Sequence, residues 1–183
     1  MSENIVAKGK IFELVQLTQP DGRIFEVARR APGVRLIIPD RVNKKVLLTK
    51  EFRRELNDFD YRLPGGKVFD TLDEFEIHRA SGNDILGPVV KKVKGEGAEE
   101  TGIEIIEAEL FRKSTLGATV EWDLYVYEVT KWEPHRDGQQ LEEGENIDAN
   151  GWFSYEEAKK MVLGGRMAEE RVALILLQWL YKQ

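Results

Sequence analysis

The sequence predicts an α/β protein, a mixed β-sheet packed between helices and preceded by a β-hairpin. Three observations carry this. Alternating apolar and polar positions fill the first third of the chain. Stretches with helical periodicity and capping signals follow in the middle and at the end. Further strand-like segments separate those stretches.

Ile11 to Leu17 alternates, Pro20-Asp21-Gly22 is a turn, and Arg23 to Ala28 alternates again, which is a hairpin signal. Val34 to Ile38, stopped by Pro39-Asp40, and Lys45 to Thr49 are the next strands. Leu63-Pro64-Gly65-Gly66-Lys67 breaks the pattern with a glycine-bearing turn. Thr71-Leu72-Asp73-Glu74 has capping-box form, so a short helix starts near Leu72, and Ser81-Gly82-Asn83-Asp84 ends it. Pro88 suits the first turn of a second helix, Val89 to Thr101, with Gly102 as its stop. Strands return at Ile105 to Lys113 and Trp122 to Val129. Residues 133–146 form an acidic loop, and Ile147 to Phe153 a last strand. Ser154-Tyr155-Glu156-Glu157 is a second capping box, opening a helix to Leu163 that Gly164-Gly165 breaks. The final helix, Met167 to Tyr181, has a broad apolar face.

Of the 183 residues, 42% are hydrophobic, enough for a real core. A net charge of −6 argues against a general nucleic-acid binder, which shows a basic face. A nucleotide ligand is compatible with that charge, because a cation neutralises phosphates locally. With no cysteine, disulfides, thiolate metal sites and cysteine nucleophiles are excluded. Neither a signal-peptide core nor an apolar run of membrane-spanning length occurs, so a cytoplasmic location with no membrane partner is expected.

Glu96, Glu99 and Glu100 fall at i, i+3 and i+4 of the second helix, which stacks three carboxylates on one face. Their mutual repulsion is relieved by a hard divalent cation such as Mg²⁺, or Mn²⁺ as the alternative. A solvated acidic face is the competing reading of the spacing alone. His78 and His135, the only histidines, read as surface residues. Trp122, Trp132, Trp152 and Trp179 read as core or interface, with Trp132, beside the acidic loop, the best base-stacking exception. Glu121 is open between lining a site and lying on a strand-end surface.

The segment Gly95-Glu96-Gly97-Ala98-Glu99-Glu100-Thr101-Gly102-Ile103 resembles the second half of the Nudix box, and Leu63-Pro64-Gly65-Gly66-Lys67 its strand-loop lead-in. Glu51-Phe52-Arg53 resembles the phosphate-reaching segment of ADP-ribose pyrophosphatases, and Glu142-Glu143-Gly144-Glu145-Asn146-Ile147 their acidic catalytic loop. Gly165-Arg166-Met167 and Ala173 to Leu180 resemble their closing turn and helix.

The resemblance implies a Nudix α/β/α sandwich over residues 33–183, with residues 1–32 a hairpin extension that helps form a homodimer. It implies Mg²⁺-dependent hydrolysis of a pyrophosphate bond in a small nucleotide-linked compound, ADP-ribose or a nucleotide sugar first. Glu96, Glu99 and Glu100 would hold metal, Arg53 would grip phosphate beside Gly65 and Gly66, and Glu143 or Glu145 would be the general base. The alternative is a catalytically degenerate Nudix domain acting as a nucleotide-binding or regulatory module.

Three departures from the box stand out. About fifteen extra residues separate the glycines from Glu96, and the segment Thr71–Pro88 holds them. Being mostly polar, this segment is expected outside the core, beside the site's mouth, with Glu74 as a replacement acid. Gly95 stands where the family has an arginine, for which Lys94 or Arg79 would substitute without the same fork geometry. Gly97 stands at an aliphatic position, and two glycines in a helix cost roughly 2 kcal/mol against alanines, which predicts a looser helix.

Overall fold

The computed structural model describes residues 2–141 and 147–183, with only the backbone for 148–150. Its elements run β1 (Ser2–Lys8), β2 (Phe12–Thr18), β3 (Ile24–Arg30), β4 (Gly33–Ile37), β5 (Pro39–Asp40), β6 (Lys45–Arg53), β7 (Asp58–Arg62), α1 (Leu72–Ser81), α2 (Leu86–Thr101), β8 (Ile103–Ser114), β9 (Val120–Glu121), β10 (Leu124–Pro134), β11 (Ile147–Ser154), α3 (Tyr155–Leu163) and α4 (Glu170–Leu180). The fold is mixed α/β, as the alternation predicts. The strands form three ladders rather than one sheet: β1-β2-β3-β9, β4-β10-β8, and β11-β6-β5 with β7 also on β6. Among the described residues no helix is long and apolar enough to cross a membrane.

The chain divides into two compact units. The first comprises Met1–Val34, Gly66–Lys92 and Lys113–Tyr125. Its β2–β3 hairpin closes through Gly22, whose φ of 84° suits glycine alone at low strain. The sequence pattern misses β1, which adds antiparallel to β2 from Ser2↔Thr18 to Lys8↔Glu13. Every residue of β1 is exposed, so no buried face imposes the alternation by which strands are read. Arg29, only 4% exposed, is held by Glu3, Glu13 and Glu121, the satisfaction a buried guanidinium requires.

The inserted segment belongs to this unit and, Leu72 apart, its residues are exposed or half-buried, as its polar composition predicts. Thr71 caps α1 by accepting from the Glu74 amide at 3.2 Å, and Gly82 ends it at φ 70°. Leu72, 1% exposed, is the one residue of the segment that reaches the core. The Leu72 amide donates to the Lys10 carbonyl, and Lys8 forms ion pairs with Asp73 and Glu76. The Glu74 carboxylate accepts from the Asp70 amide, so it serves the helix start and not the box.

The second unit comprises Arg35–Gly65, Val93–Arg112 and Val126–Gln183. Val46, Leu47 and Leu48 of β6 are buried in succession, so both faces of that strand are covered. On β11, Gly151 lies so close to β6 that a Cβ there would sit 2.6 Å from the Leu48 carbonyl oxygen. The Ser154–Glu157 capping box opens α3 as predicted. The last helix starts at Glu170 rather than Met167 and buries Val172, Ile175, Leu176 and Trp179. Trp132 donates to the Pro39 carbonyl and stacks on Trp152 at 5.5 Å, so it is packing rather than a base platform.

Candidate active site

The box acids lie on α2. The Asp84 side chain accepts from the Leu86 amide at 3.2 Å, Pro88 sits in the first turn, and Gly102 at φ 65° stops the helix. Glu96 is 5% exposed, while Glu99 and Glu100 are half-buried. One oxygen of Glu100 accepts from the Gly65 amide at 2.6 Å, which joins the box helix to the glycine turn that precedes it by 35 residues. Gly65 has φ 139°, a conformation that L side chains rarely adopt, so glycine is required there.

The Gly65 peptide is held from its other side as well. Its carbonyl accepts from Arg35 of β4. Arg35 lies 3.4 Å from a Glu169 oxygen, and Arg62 reaches the same oxygen at 3.9 Å. Arg62 pairs with Asp60 at 2.8 Å, and Asp60, 2% exposed, accepts from the Ala168 amide. An ionic chain thus runs from the turn before α4 to the glycine turn. The other Glu169 oxygen, Oε1, is buried with no hydrogen-bond partner among the described residues. The sequence reading missed Arg35 and Glu169, because their partners are 30 and 134 residues distant from Arg35 and follow no local spacing.

Glu143 and Glu145, the predicted bases, lie outside the described residues. Their flanks are placed. The Gln140 amide donates to the Glu99 carbonyl at 2.9 Å. The Gln139 side-chain amide donates to the Glu100 carbonyl at 2.7 Å and to the Ile147 carbonyl at 3.3 Å. The His135 amide donates to the Gly102 carbonyl. These bonds satisfy carbonyls that a helix end leaves open, and they hold Gln139, Gln140 and Ile147 at the last turn of α2.

The two helical glycines separate in meaning. A Cβ at Gly95 would meet the Glu99 carboxylate at 3.3 Å, so the absent side chain leaves room for that acid to lean along the helix. A Cβ at Gly97 would fall 2.5 Å from Ile105 and 2.9 Å from the Ile103 carbonyl oxygen. Gly97 therefore lets α2 approach β8 closely, which corrects the looser helix read from composition. Gly97→Ala is expected to destabilise by about 1–3 kcal/mol through overpacking despite alanine's helix propensity. Gly95→Ala, which meets only a flexible carboxylate end, should be neutral or stabilising by up to about 1 kcal/mol. Thermal melts of the two variants check this, and equal effects would contradict it.

Arg53, at the end of β6, bonds Glu55 at 2.8 Å and Glu51 at 3.1 Å. Burial opposes its charge, but the Glu55 bond and the Glu51 charge outweigh that and hold its pKa above the usual arginine value. Substrate phosphate would have to compete with these carboxylates.

Among the described residues, no three Asp, Glu or His side chains converge to hold a metal ion. The donor chemistry of Glu96, Glu99 and Glu100 nevertheless suits a hard divalent cation.

No family model matches the chain, and no curated protein matches it in sequence. Among solved structures it is similar to one described as the crystal structure of an ADP compounds hydrolase. The TM-score is 0.68 at 14% identity, and the match covers 100% of this chain and 94% of that one. At that identity the likeness establishes the fold alone, a mixed α/β architecture shared over the whole chain.

Proposed function

We propose that this chain is a divalent-cation-dependent hydrolase. It would cleave the pyrophosphate bond of a nucleoside diphosphate linked to another moiety, with ADP-ribose or a nucleotide sugar the first candidates. The observation that carries the reading is the Glu100–Gly65 hydrogen bond, which brings the two separated halves of the box together. The fold shared with an ADP compounds hydrolase supports it.

Glu96, Glu99 and Glu100 would hold Mg²⁺ or Mn²⁺. When bound, the cation would neutralise diphosphate charge and lower the pKa of the attacking water. Glu143 or Glu145 takes the proton of that water as it adds to phosphorus, and the bridging oxygen leaves with the other phosphate. Arg53 draws a phosphate oxygen by exchanging its bonds to Glu51 and Glu55. Arg35 keeps the Gly65 peptide fixed so that Glu100 keeps its orientation. Ile5, Val6, Phe12, Ile24 and Phe25, exposed on the β1–β3 ladder, support the expected homodimer.

One reading competes. Gly95 in the arginine position, and the lack of three convergent donors among the described residues, favour a module that binds nucleotide without cleaving it. A panel of nucleoside-diphosphate compounds with Mg²⁺, scored for nucleoside monophosphate, separates the two. Release of monophosphate is expected, and tight binding without product would sustain the module instead.

A further inference from the structure

The first unit contains a cavity of about 570 Å³, within the range of small-molecule sites. The ends of β3, β8 and β10, the loop between β8 and β9, and α1 of the inserted segment line it. Four cations, Arg29, Arg30, Arg79 and Lys113, face two carboxylates, Glu121 and Asp123. Arg29 is also held by Glu3 and Glu13, so Arg79, exposed on α1, is the cation best placed to meet an anion. Both carboxylates are engaged from within the lining, Glu121 by Arg29 and Asp123 by Lys113 at 2.7 Å.

Its second character is aromatic. The Arg30 guanidinium lies 4.4 Å over the Trp122 ring, and Arg79 lies 5.8 Å over Phe75. Such planar cation–ring pairs are platforms for a flat heteroaromatic group. His78, also in the lining, has its ring 5.2 Å from Phe69, and its Nε2 is buried with no hydrogen-bond partner among the described residues. A buried polar atom without a partner costs stability, and a ligand that supplies one recovers it.

We propose that this cavity is a binding site for a nucleoside monophosphate, the base stacked on the Arg30–Trp122 pair and the phosphate drawn by Arg79. It would give the inserted segment a purpose, since Phe75, His78 and Arg79 all come from it. The proposal uses residues of the first unit alone and does not depend on the hydrolase reading.

Calorimetric titration of the whole protein in EDTA, with AMP, adenosine and inorganic phosphate as separate probes, tests it. AMP should bind at least about tenfold more tightly than either fragment. Arg79→Ala should weaken AMP about tenfold and leave adenosine unchanged, with an unaltered melt showing that the exposed residue is not needed for folding. Trp122→Ala should weaken AMP and adenosine alike. Glu100→Gln, on the second unit, should change none of these affinities. The proposal is overturned if AMP fails to bind, if phosphate alone binds as well as AMP, or if Arg79→Ala has no effect. Loss of AMP binding in Glu100→Gln instead would place the nucleotide elsewhere and equally overturn it. Failure of the hydrolysis panel with these affinities intact would refute only the catalytic reading.

Discussion

Replacing the general base of the acidic loop with glutamine will lower kcat by roughly 10²–10⁴-fold and leave KM nearly unchanged. Glu143→Gln and Glu145→Gln are to be measured singly, because the sequence leaves the choice between them open. The effect is large because proton removal is needed only as the water attacks, so its loss raises the barrier without weakening ground-state binding. One of the two should show the fall, while the other stays within about threefold of wild type, a surface-substitution effect. The tethering of Gln139 and Gln140 to the last turn of α2 adds a dependent expectation. Gln139→Ala removes the link that joins the Glu100 and Ile147 carbonyls, and it should lower kcat in the same direction by a smaller factor. If neither glutamine substitution alters turnover of a compound that wild type cleaves, the base lies elsewhere.

Leu72→Ala will destabilise the protein by about 2–5 kcal/mol, the cost of removing a fully enclosed leucine. Leu72 is 1% exposed at the first position of α1. Its amide bonds Lys10, and the flanking Asp73 and Glu76 pair with Lys8. The inserted segment is thus anchored to the first unit through Leu72, and deleting Thr71 to Pro88 should cost stability comparable to Leu72→Ala. Ile77→Ala, at 72% exposure on the same helix, is the control and should cost under about 0.5 kcal/mol. Chemical denaturation measures both. A Leu72 effect as small as the Ile77 effect would show that Leu72 does not anchor the segment.

The same residue shows where sequence reading succeeds and where it stops. The Thr71 cap and the Gly82 stop are local signals, and both appear where their residue types predict. The burial of Leu72 and its amide bond to Lys10, distant in the chain, follow no local spacing in a mostly polar segment. β7, Asp-Phe-Asp-Tyr-Arg, was missed because β6 runs on past Thr49 to Arg53 and pairs with it through charged positions. In the site, the Glu96, Glu99 and Glu100 spacing and the glycine turn were legible, because helix geometry and glycine's special backbone are local facts. The Arg35–Glu169 link was not legible, since it joins β4 to the start of α4. Gly97 was misread for a related reason. Propensity counts the entropy of a helical glycine, but the Ile105 side chain that excludes a methyl group becomes visible only when β8 is in place.

The most direct measurement is the Mg²⁺ dependence of hydrolysis by wild type and Glu100→Gln, followed side by side with a compound that wild type cleaves. A glutamine at position 100 retains an oxygen to accept from the Gly65 amide, so the turn should stay in place while one anionic metal ligand is lost. The account predicts that the Mg²⁺ midpoint of the variant rises at least about tenfold and that added Mg²⁺ restores much of the wild-type rate. An unchanged midpoint with a permanently lowered plateau would contradict the assignment of Glu100 as a metal ligand. Cleavage by wild type that is indifferent to added Mg²⁺ and to chelator would contradict the account as a whole.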